Sequence, residues 1–367
     1  MQNNKLKIGF FGTPNNAAKT LETLINSDQF EISFVVTQPD KLAGRGKKLT
    51  PSPVKALANL HHLPCLQPAT LKGIKLNNNS LICTNEDLES HKLADLINTT
   101  KPDIFIVVAF GQIIPRDIFT HPKYKTLNIH YSLLPRWRGA APVQRAIEAG
   151  DLETGVSIME IDEGLDTGPI YSTDKIAILE DDTFSTLLEK LTISGSELLI
   201  STLKMIVSEA ISPEPQPISG ATHAKKWDKS ESKINWSSSA RAIKRKINAV
   251  DFGFCEIEDK KSKTIISPVK IFKTKVIDLD KSSFLESEQE DLGHHDLEQG
   301  NQKQGNQKQG NSELRDPGYI LSTKELPLAV KTGEGLLQLL ELQLPSKNRI
   351  TAEAFINSYN YKDLKFS

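Results

Sequence analysis

The sequence predicts an α/β domain built on a doubly wound, largely parallel sheet, followed by a small β-barrel. Three observations carry that expectation. Asp103–Phe110 is an unbroken apolar run of strand length, the kind buried on both faces of a parallel sheet. Lys7–Phe11 passes through Gly12-Thr13-Pro14 into Ala17, Ala18, Leu21, Leu24 and Ile25 at helical spacing, which reads as strand, turn and helix. Beyond Ser212-Pro-Glu-Pro-Gln-Pro217, one basic helix precedes a series of short β-like runs. The expected division is a first domain over 1–209, a connector over 210–228 and a second domain over 229–367.

In chain order, Thr13 suits an N-cap and Pro14 the first helical position. The turn lacks G-x-G-x-x-G, so it gives no support to dinucleotide binding. Strand Ile32–Val36 releases a loop, Lys41–Pro53, with two glycines, two prolines and the cations Lys41, Arg45, Lys47 and Lys48. No acid follows Asp40 in that loop, and such a loop suits phosphate. Residues 72–100 read as a polar insertion. Strands follow at Val156–Ile161 and Ile170–Ile178, and then a long amphipathic helix from Asp182 to about residue 209. From Ala221 to Lys275 there are 14 Lys+Arg against 6 Asp+Glu, with Arg241, Lys244 and Arg245 at helical spacing. Residues 281–316 contain an exact repeat, Gly300-Asn-Gln-Lys-Gln-Gly305-Asn-Gln-Lys-Gln-Gly310, with no apolar side chain to bury, and are expected to be a disordered insertion.

Composition narrows the class. Apolar residues at 38% and charged residues at 25% are ordinary for a soluble protein. Cys65, Cys83 and Cys255 form no C-x-x-C and cannot all pair, which points to a reduced, cytoplasmic compartment. No signal peptide is expected from the first residues, and no apolar run is long enough for a bilayer. A net charge of −1 disfavours a nucleic-acid binder over its whole surface, though not local patches. His294-His295 has no partners at ligand spacing, so no metal site is expected.

The informative stretch is residues 126–142. Leu127 and Ile129 alternate with Asn128 and His130, so a strand puts the two polar side chains on one face. They fall just before a break at Ser132, Pro135 and Gly139, where open α/β sheets bind ligands. Asp166 lies in the Gly-rich loop Gly164-Leu-Asp-Thr-Gly168, where a lone Asp is usually a turn residue.

His130-x-Ser132-Leu133-Leu134-Pro135, followed by Arg136-Trp137-Arg138-Gly139, resembles the signature of the folate-dependent formyltransferases. Thr37-Gln-Pro-Asp40 with Ala43–Lys48 and Pro51-Ser-Pro53, Ala109-Phe-Gly-x-Ile-x-Pro115, and Gly164–Gly168 are similar to the branch that formylates methionyl-tRNA. The resemblance runs from about residue 5 to 366 and is interrupted by 72–100 and 281–316. It implies a Rossmann-like catalytic domain and an oligonucleotide-binding-like (OB-like) barrel. It implies 10-formyltetrahydrofolate as donor and the α-amine of initiator methionyl-tRNA as acceptor, with no metal and a monomeric enzyme. Asn128, His130 and Asp166 match the catalytic positions. Ser132, Leu133, Leu134 and Pro135, with Phe110, Gly111 and Ile113, match the folate site. Lys41, Arg45, Lys47 and Lys48 match the loop at the amino-acid end of the tRNA, and Arg241, Lys244 and Arg245 a backbone contact. Tyr131 stands where the family has Gly or Ala and is expected to face away from His130. Phe110 replaces a Tyr, and Ala249–Phe254 replaces Asn-Pro-Trp-Pro. The alternatives are a formyltransferase for a sugar-nucleotide or ribonucleotide amine, or a catalytically inactive RNA-binding relative.

Overall fold

The computed structural model describes residues 5–43, 46, 48–277, 316–323, 326–359 and 363–367. They form two compact units. The first comprises Met1–Val143, Leu152–Leu179 and Thr186–Lys226, and the second Gln144–Asp151, Glu180–Ser185 and Trp227–Ser367. Among the described residues no helix is long and apolar enough to cross a membrane.

The first unit is organised by β1 (Leu6–Gly12), which enters as an interior strand of the sheet, with Ile8, Phe10 and Phe11 all fully buried. Helix α1 (Asn15–Ile25) follows, and then β2 (Phe30–Val36) pairs parallel to β1. The helix begins at Pro14 without a side-chain cap. The expected cap, Thr13, instead donates its hydroxyl to the Phe110 carbonyl at 2.9 Å, joining two strand ends. The basic loop is a hairpin, β3 (Lys41–Ala43) with β4 (Lys48–Thr50), and α2 (Pro53–Leu60) leads to β5 (Cys65–Leu66) beside β2.

Residues 72–100, expected as a polar insertion, are a layer of the fold. Hairpin β6 (Ile74–Asn77) and β7 (Ser80–Cys83) and helix α3 (Leu88–Thr100) bury Ile74, Leu81, Leu93, Ala94 and Ile97 in one core with Phe11, Phe34 and Phe105. The apolar positions are few and one of them is Ala, so composition hides them. The chain then returns through β8 (Ile104–Val108) on the other side of β1, and α4 (Arg116–Phe119) leads to β9 (Thr126–His130). After the short β10 (Arg138–Gly139) and α5 (Pro142–Ala149), β11 (Glu153–Glu160) adds antiparallel to β9 and β12 (Ile170–Ala177) antiparallel to β11. The sheet order is β12-β11-β9-β8-β1-β2-β5, so the winding reverses between β1 and β8. Carboxyl ends flanking such a reversal form the crevice where these folds hold ligands. Helix α6 (Phe184–Val207) carries Leu187, Leu191, Leu199, Leu203 and Ile206 on its buried stripe.

In the second unit, Ser239 caps α7 (Ala240–Asn248) by accepting from the Ala242 amide, after the short β13 (His223–Ala224) of the first unit. The altered segment Ala249–Phe254 turns out of α7 through Asp251 at φ 64°, and its carboxylate accepts from Ser185. Six strands form an antiparallel sheet in the order β16 (Ile320–Leu321), β17 (Ala329–Lys331), β18 (Leu336–Gln343), β15 (Thr264–Ile277), β14 (Gly253–Asp259) and β20 (Leu364–Phe366), and β19 (Arg349–Thr351) pairs with β18. A bridge between Tyr319 and Lys365 joins the first strand to the last, so the sheet closes into a barrel. Ile243, Ile247, Cys255, Val269, Leu337, Leu339, Phe355 and Phe366 are in its core. The repeat and His294-His295 lie outside the described residues.

Candidate active site

β9 ends at the carboxyl edge of the sheet, two residues past its pairing with β8 on one side and opposite Ser157 of β11 on the other. Asn128 is half-buried, and its side-chain amide has no hydrogen-bond partner among the described residues. His130, two residues on and on the same face, is only 5% exposed. Its Nε2 lies 2.9 Å from the Trp137 carbonyl oxygen. A carbonyl can only accept, so Nε2 carries a proton. Nδ1 faces the Asp166 Oδ2 at 3.6 Å.

Asp166 is aimed by its loop rather than by a helix or strand. Asp162 gathers the loop by accepting from the Gly164 amide and the Thr167 hydroxyl, and Asp166 sits at φ 53°. Its Oδ2 accepts from the Gly139 amide at 2.8 Å, so one oxygen serves both Gly139 and His130. Gly139 has to be glycine, with φ at 118° and the Ala224 carbonyl oxygen 2.7 Å from where a Cβ would stand. That close approach is the β10–β13 pairing.

The turn after His130 is held from beneath. Ser157 donates its hydroxyl to the Ser132 carbonyl at 2.7 Å and accepts from the Leu134 amide at 3.2 Å. Ser132 donates to the Arg136 carbonyl, and the Leu134–Pro135 peptide is cis. Ser132 and Leu134 are buried, and Leu133 and Pro135 are half-buried. Tyr131 faces away from His130, into a pocket where the Asn16 amide donates to its hydroxyl at 3.2 Å. Burial pushes that phenol above its ordinary pKa, against the pull of hydrogen bonds from Asn16, Thr192 and Thr20. Phe110 is core, packed edge-on to Phe11, and only its carbonyl is engaged at the site edge. Gly111 at φ 85° and Ile113, 88% exposed, follow it as an open apolar shelf.

The basic hairpin exposes Lys41, Lys48 and two opposed leucines, Leu42 and Leu49, while Arg45 and Lys47 lie outside the described residues. Asp40 below it is taken by Lys55 at 2.8 Å, whose hydrogen bond, with that of Gln67, holds the carboxyl below its usual range. In the second unit Arg241 is exposed and Arg245 half-buried. Lys244, expected to contact phosphate, is 6% exposed and bonded to Asp181 at 2.8 Å and Glu180 at 3.0 Å. Burial alone would lower its pKa, but those two carboxylates hold it above the ordinary value. Its charge is therefore already spent, because α7 turns that position inward beside Ile243 and Ile247.

Sequence reasoning missed Gln216, Arg138 and the Trp137 carbonyl. Gln216 sits in the proline-rich stretch read as a connector. That stretch instead crosses the first unit, bonding Ile170 through Glu214, Pro135 through Thr222 and Gly139 through Ala224.

Comparison with known proteins bears on this arrangement. The family described as Formyl transferase matches residues 6–203, and Formyl transferase, C-terminal domain, matches residues 226–360. The fold is similar to WlaRD, a sugar 3N-formyl transferase solved with dTDP and 5-N-formyl-THF, at 18% identity and TM-score 0.56, covering 94% of this chain and 100% of that one. It is similar to an N-formyltransferase from Helicobacter canadensis in complex with folinic acid and dTDP-3-aminofucose, at 17% identity and TM-score 0.56, covering 93% and 100%. HypX from Aquifex aeolicus aligns at 15% identity and TM-score 0.55 over 97% of this chain, which spans about half of HypX (48%). At such identities the structures speak to fold, and the two domain matches, running through most of the sequence around a His–Asp pair at the sheet's carboxyl edge, show that the chain belongs to the formyltransferase family.

Proposed function

We propose that this formyltransferase is a methionyl-tRNA formyltransferase, moving the formyl group of 10-formyltetrahydrofolate to the α-amine of initiator methionyl-tRNA. The observation that carries the acceptor is the basic hairpin of the first unit, with exposed Lys41 and Lys48 flanking Arg45 and Lys47 in a Pro- and Gly-rich loop. A sugar-nucleotide amine has two phosphates and gives no reason for both a basic loop in the first domain and 14 Lys+Arg against 6 Asp+Glu over 221–275. The second reading, a sugar-nucleotide acceptor, is favoured by the two sugar N-formyltransferases that align over their full length.

In the proposed reaction the amine attacks the formyl carbon, forming the new C–N bond and a tetrahedral oxyanion. The C–N10 bond then breaks, and the proton lost by the amine ends on N10. The Asn128 amide, unengaged among the described residues, donates to the oxyanion. His130, carrying protons on both nitrogens, turns Nε2–H from the Trp137 carbonyl to the reacting atoms, gives that proton to N10 and takes up the proton released by the amine. Asp166 faces Nδ1 and stabilises the ring when both nitrogens carry protons. The turn Ser132–Pro135 and the Phe110–Ile113 shelf hold the folate.

The test is labelled-donor formylation of methionyl-tRNA and of a dTDP-amino sugar across several salt concentrations. For tRNA, log(kcat/KM) falls with log salt, by roughly 0.7–0.9 per neutralised phosphate. Arg45→Ala is expected to lower tRNA turnover and to flatten that slope by about one such unit, and Arg241→Ala to flatten it without changing saturated turnover. Turnover of the sugar alone, with no effect of either substitution, would overturn the tRNA reading in favour of the second.

A further inference from the structure

We infer that Gln216 is a positioning residue for the reaction: its amide clamps the backbone of the Asp166 loop to Arg138, and so sets where the Asp166 carboxylate points. The inference rests on the catalytic role proposed for Asp166.

Gln216 Oε1 accepts from Arg138 Nε at 3.0 Å and Nη2 at 2.6 Å. Its Nε2 donates to the Asp166 carbonyl at 2.9 Å and the Gly168 carbonyl at 2.8 Å. A guanidinium only donates and a carbonyl only accepts, so the amide has one permissible orientation and both ends are used. The need for a clamp is visible in the loop. Asp166 holds a left-handed backbone at φ 53°, a conformation unfavourable to a non-glycine residue that persists only where surroundings impose it. The bonds from Asp162 reach Gly164 and Thr167, whereas the carbonyls on either side of Thr167 are held by Gln216.

Gln216 is itself fixed on both sides. Two residues earlier, Glu214 exchanges a pair of 2.8 Å bonds with Ile170. Later, Thr222 accepts from the amides of Trp137 and Arg138, and β13 pairs with β10. Arg138 is therefore tied by its backbone and its guanidinium to the same strap. Residue 139, which follows it, supplies the amide that Asp166 Oδ2 accepts from. The clamp thus sets both the loop that carries the carboxylate and the strand that receives it.

A merely structural glutamine and a positioning one differ in what they move. Gln216→Leu keeps the volume and removes all four bonds. Gln216→Glu keeps an acceptor for Arg138 but turns an oxygen toward the two loop carbonyls. Both are expected to lower single-turnover formyl transfer by roughly 10²-fold with folate KM unchanged within about threefold, since an ångström of misplacement is worth about that much. In an Asp166→Asn background Gln216→Leu is expected to add less than about threefold, because residues acting through one another are not additive.

The second readout needs neither donor nor acceptor. In ¹⁵N-histidine NMR of the full chain, Gln216→Leu moves the His130 ring signals toward their Asp166→Asn positions and moves them no further in the double variant. If Gln216→Leu does not fold, Arg138→Gln, which frees only the amide's oxygen end, is read the same way with a smaller shift expected. His130 signals that stay at their wild-type positions, activity restored by Gln216→Glu, or a loss as large in the Asp166→Asn background as in wild type would each overturn the proposal. Should wild type not formylate methionyl-tRNA, the acceptor reading falls, and the NMR comparison alone decides the clamp.

Discussion

His130→Ala is expected to lower the single-turnover rate of formyl transfer by roughly 10²–10⁴-fold at saturating substrates, the range for losing a placed acid–base group. Asp166→Asn should follow with roughly 10²-fold or more, because the shape survives while the charge facing Nδ1 is lost. Folate binding should stay within about threefold for both. The Ser132–Leu134 turn is pinned from below by Ser157, and neither His130 nor Asp166 makes those bonds. Rapid-quench kinetics with a folate-binding titration in parallel separates the two quantities. A rate within about threefold of wild type, under roughly 0.7 kcal/mol in barrier, would remove either residue from the chemistry.

The largest expected loss of stability lies at Gly318. Its amide donates to the Lys331 carbonyl at 2.8 Å, and its carbonyl accepts from the Phe366 amide at 2.9 Å, so it is the residue through which the barrel closes. It takes φ 89°, and a Cβ there would stand 1.9 Å from the Phe366 carbonyl oxygen, which is backbone and cannot swing aside. Gly318→Val therefore has to open the seam between β16 and β20. We expect a loss of about 3 kcal/mol, from forced backbone strain and two broken ladder bonds. In a unit of this size that lowers the midpoint of thermal unfolding by roughly 10 °C. Calorimetry checks it, and an unchanged midpoint would mean that closure contributes nothing to the barrel.

The parallel core was legible because Ile104–Val108 is apolar on both faces, a pattern that solvent-facing strands do not produce. The barrel's strands were legible as short runs. Their closure was not, since it depends on one glycine and a bridge between residues 46 apart. The stretch 72–100 was misread because Ala94 and Ser90 are buried along with its few large apolar residues, and small or polar residues give little periodicity. His130 and Asp166, 36 residues apart, stand beside each other, which pattern matching had proposed and local propensity could not. Lys244 shows the opposite case. A basic residue at helical spacing reads as surface until the fold supplies Glu180 and Asp181 to meet it. Gln216 was hidden by its prolines, which mark a linker by composition alone.

That strap has an energetic consequence of its own. Of residues 211–226 only Ala224 is buried, so almost no apolar surface resists its detachment. Segments with few buried contacts open locally at a small fraction of the global unfolding free energy. Amide exchange at Arg138 and Ala224 is therefore expected to outrun that of β9 by orders of magnitude, and activity to vanish in urea well before the sheet's circular dichroism changes. The geometry around His130 and Asp166 and the hydrophobic core then have separate melting curves, and the weaker one is expected to set the temperature at which the enzyme stops working.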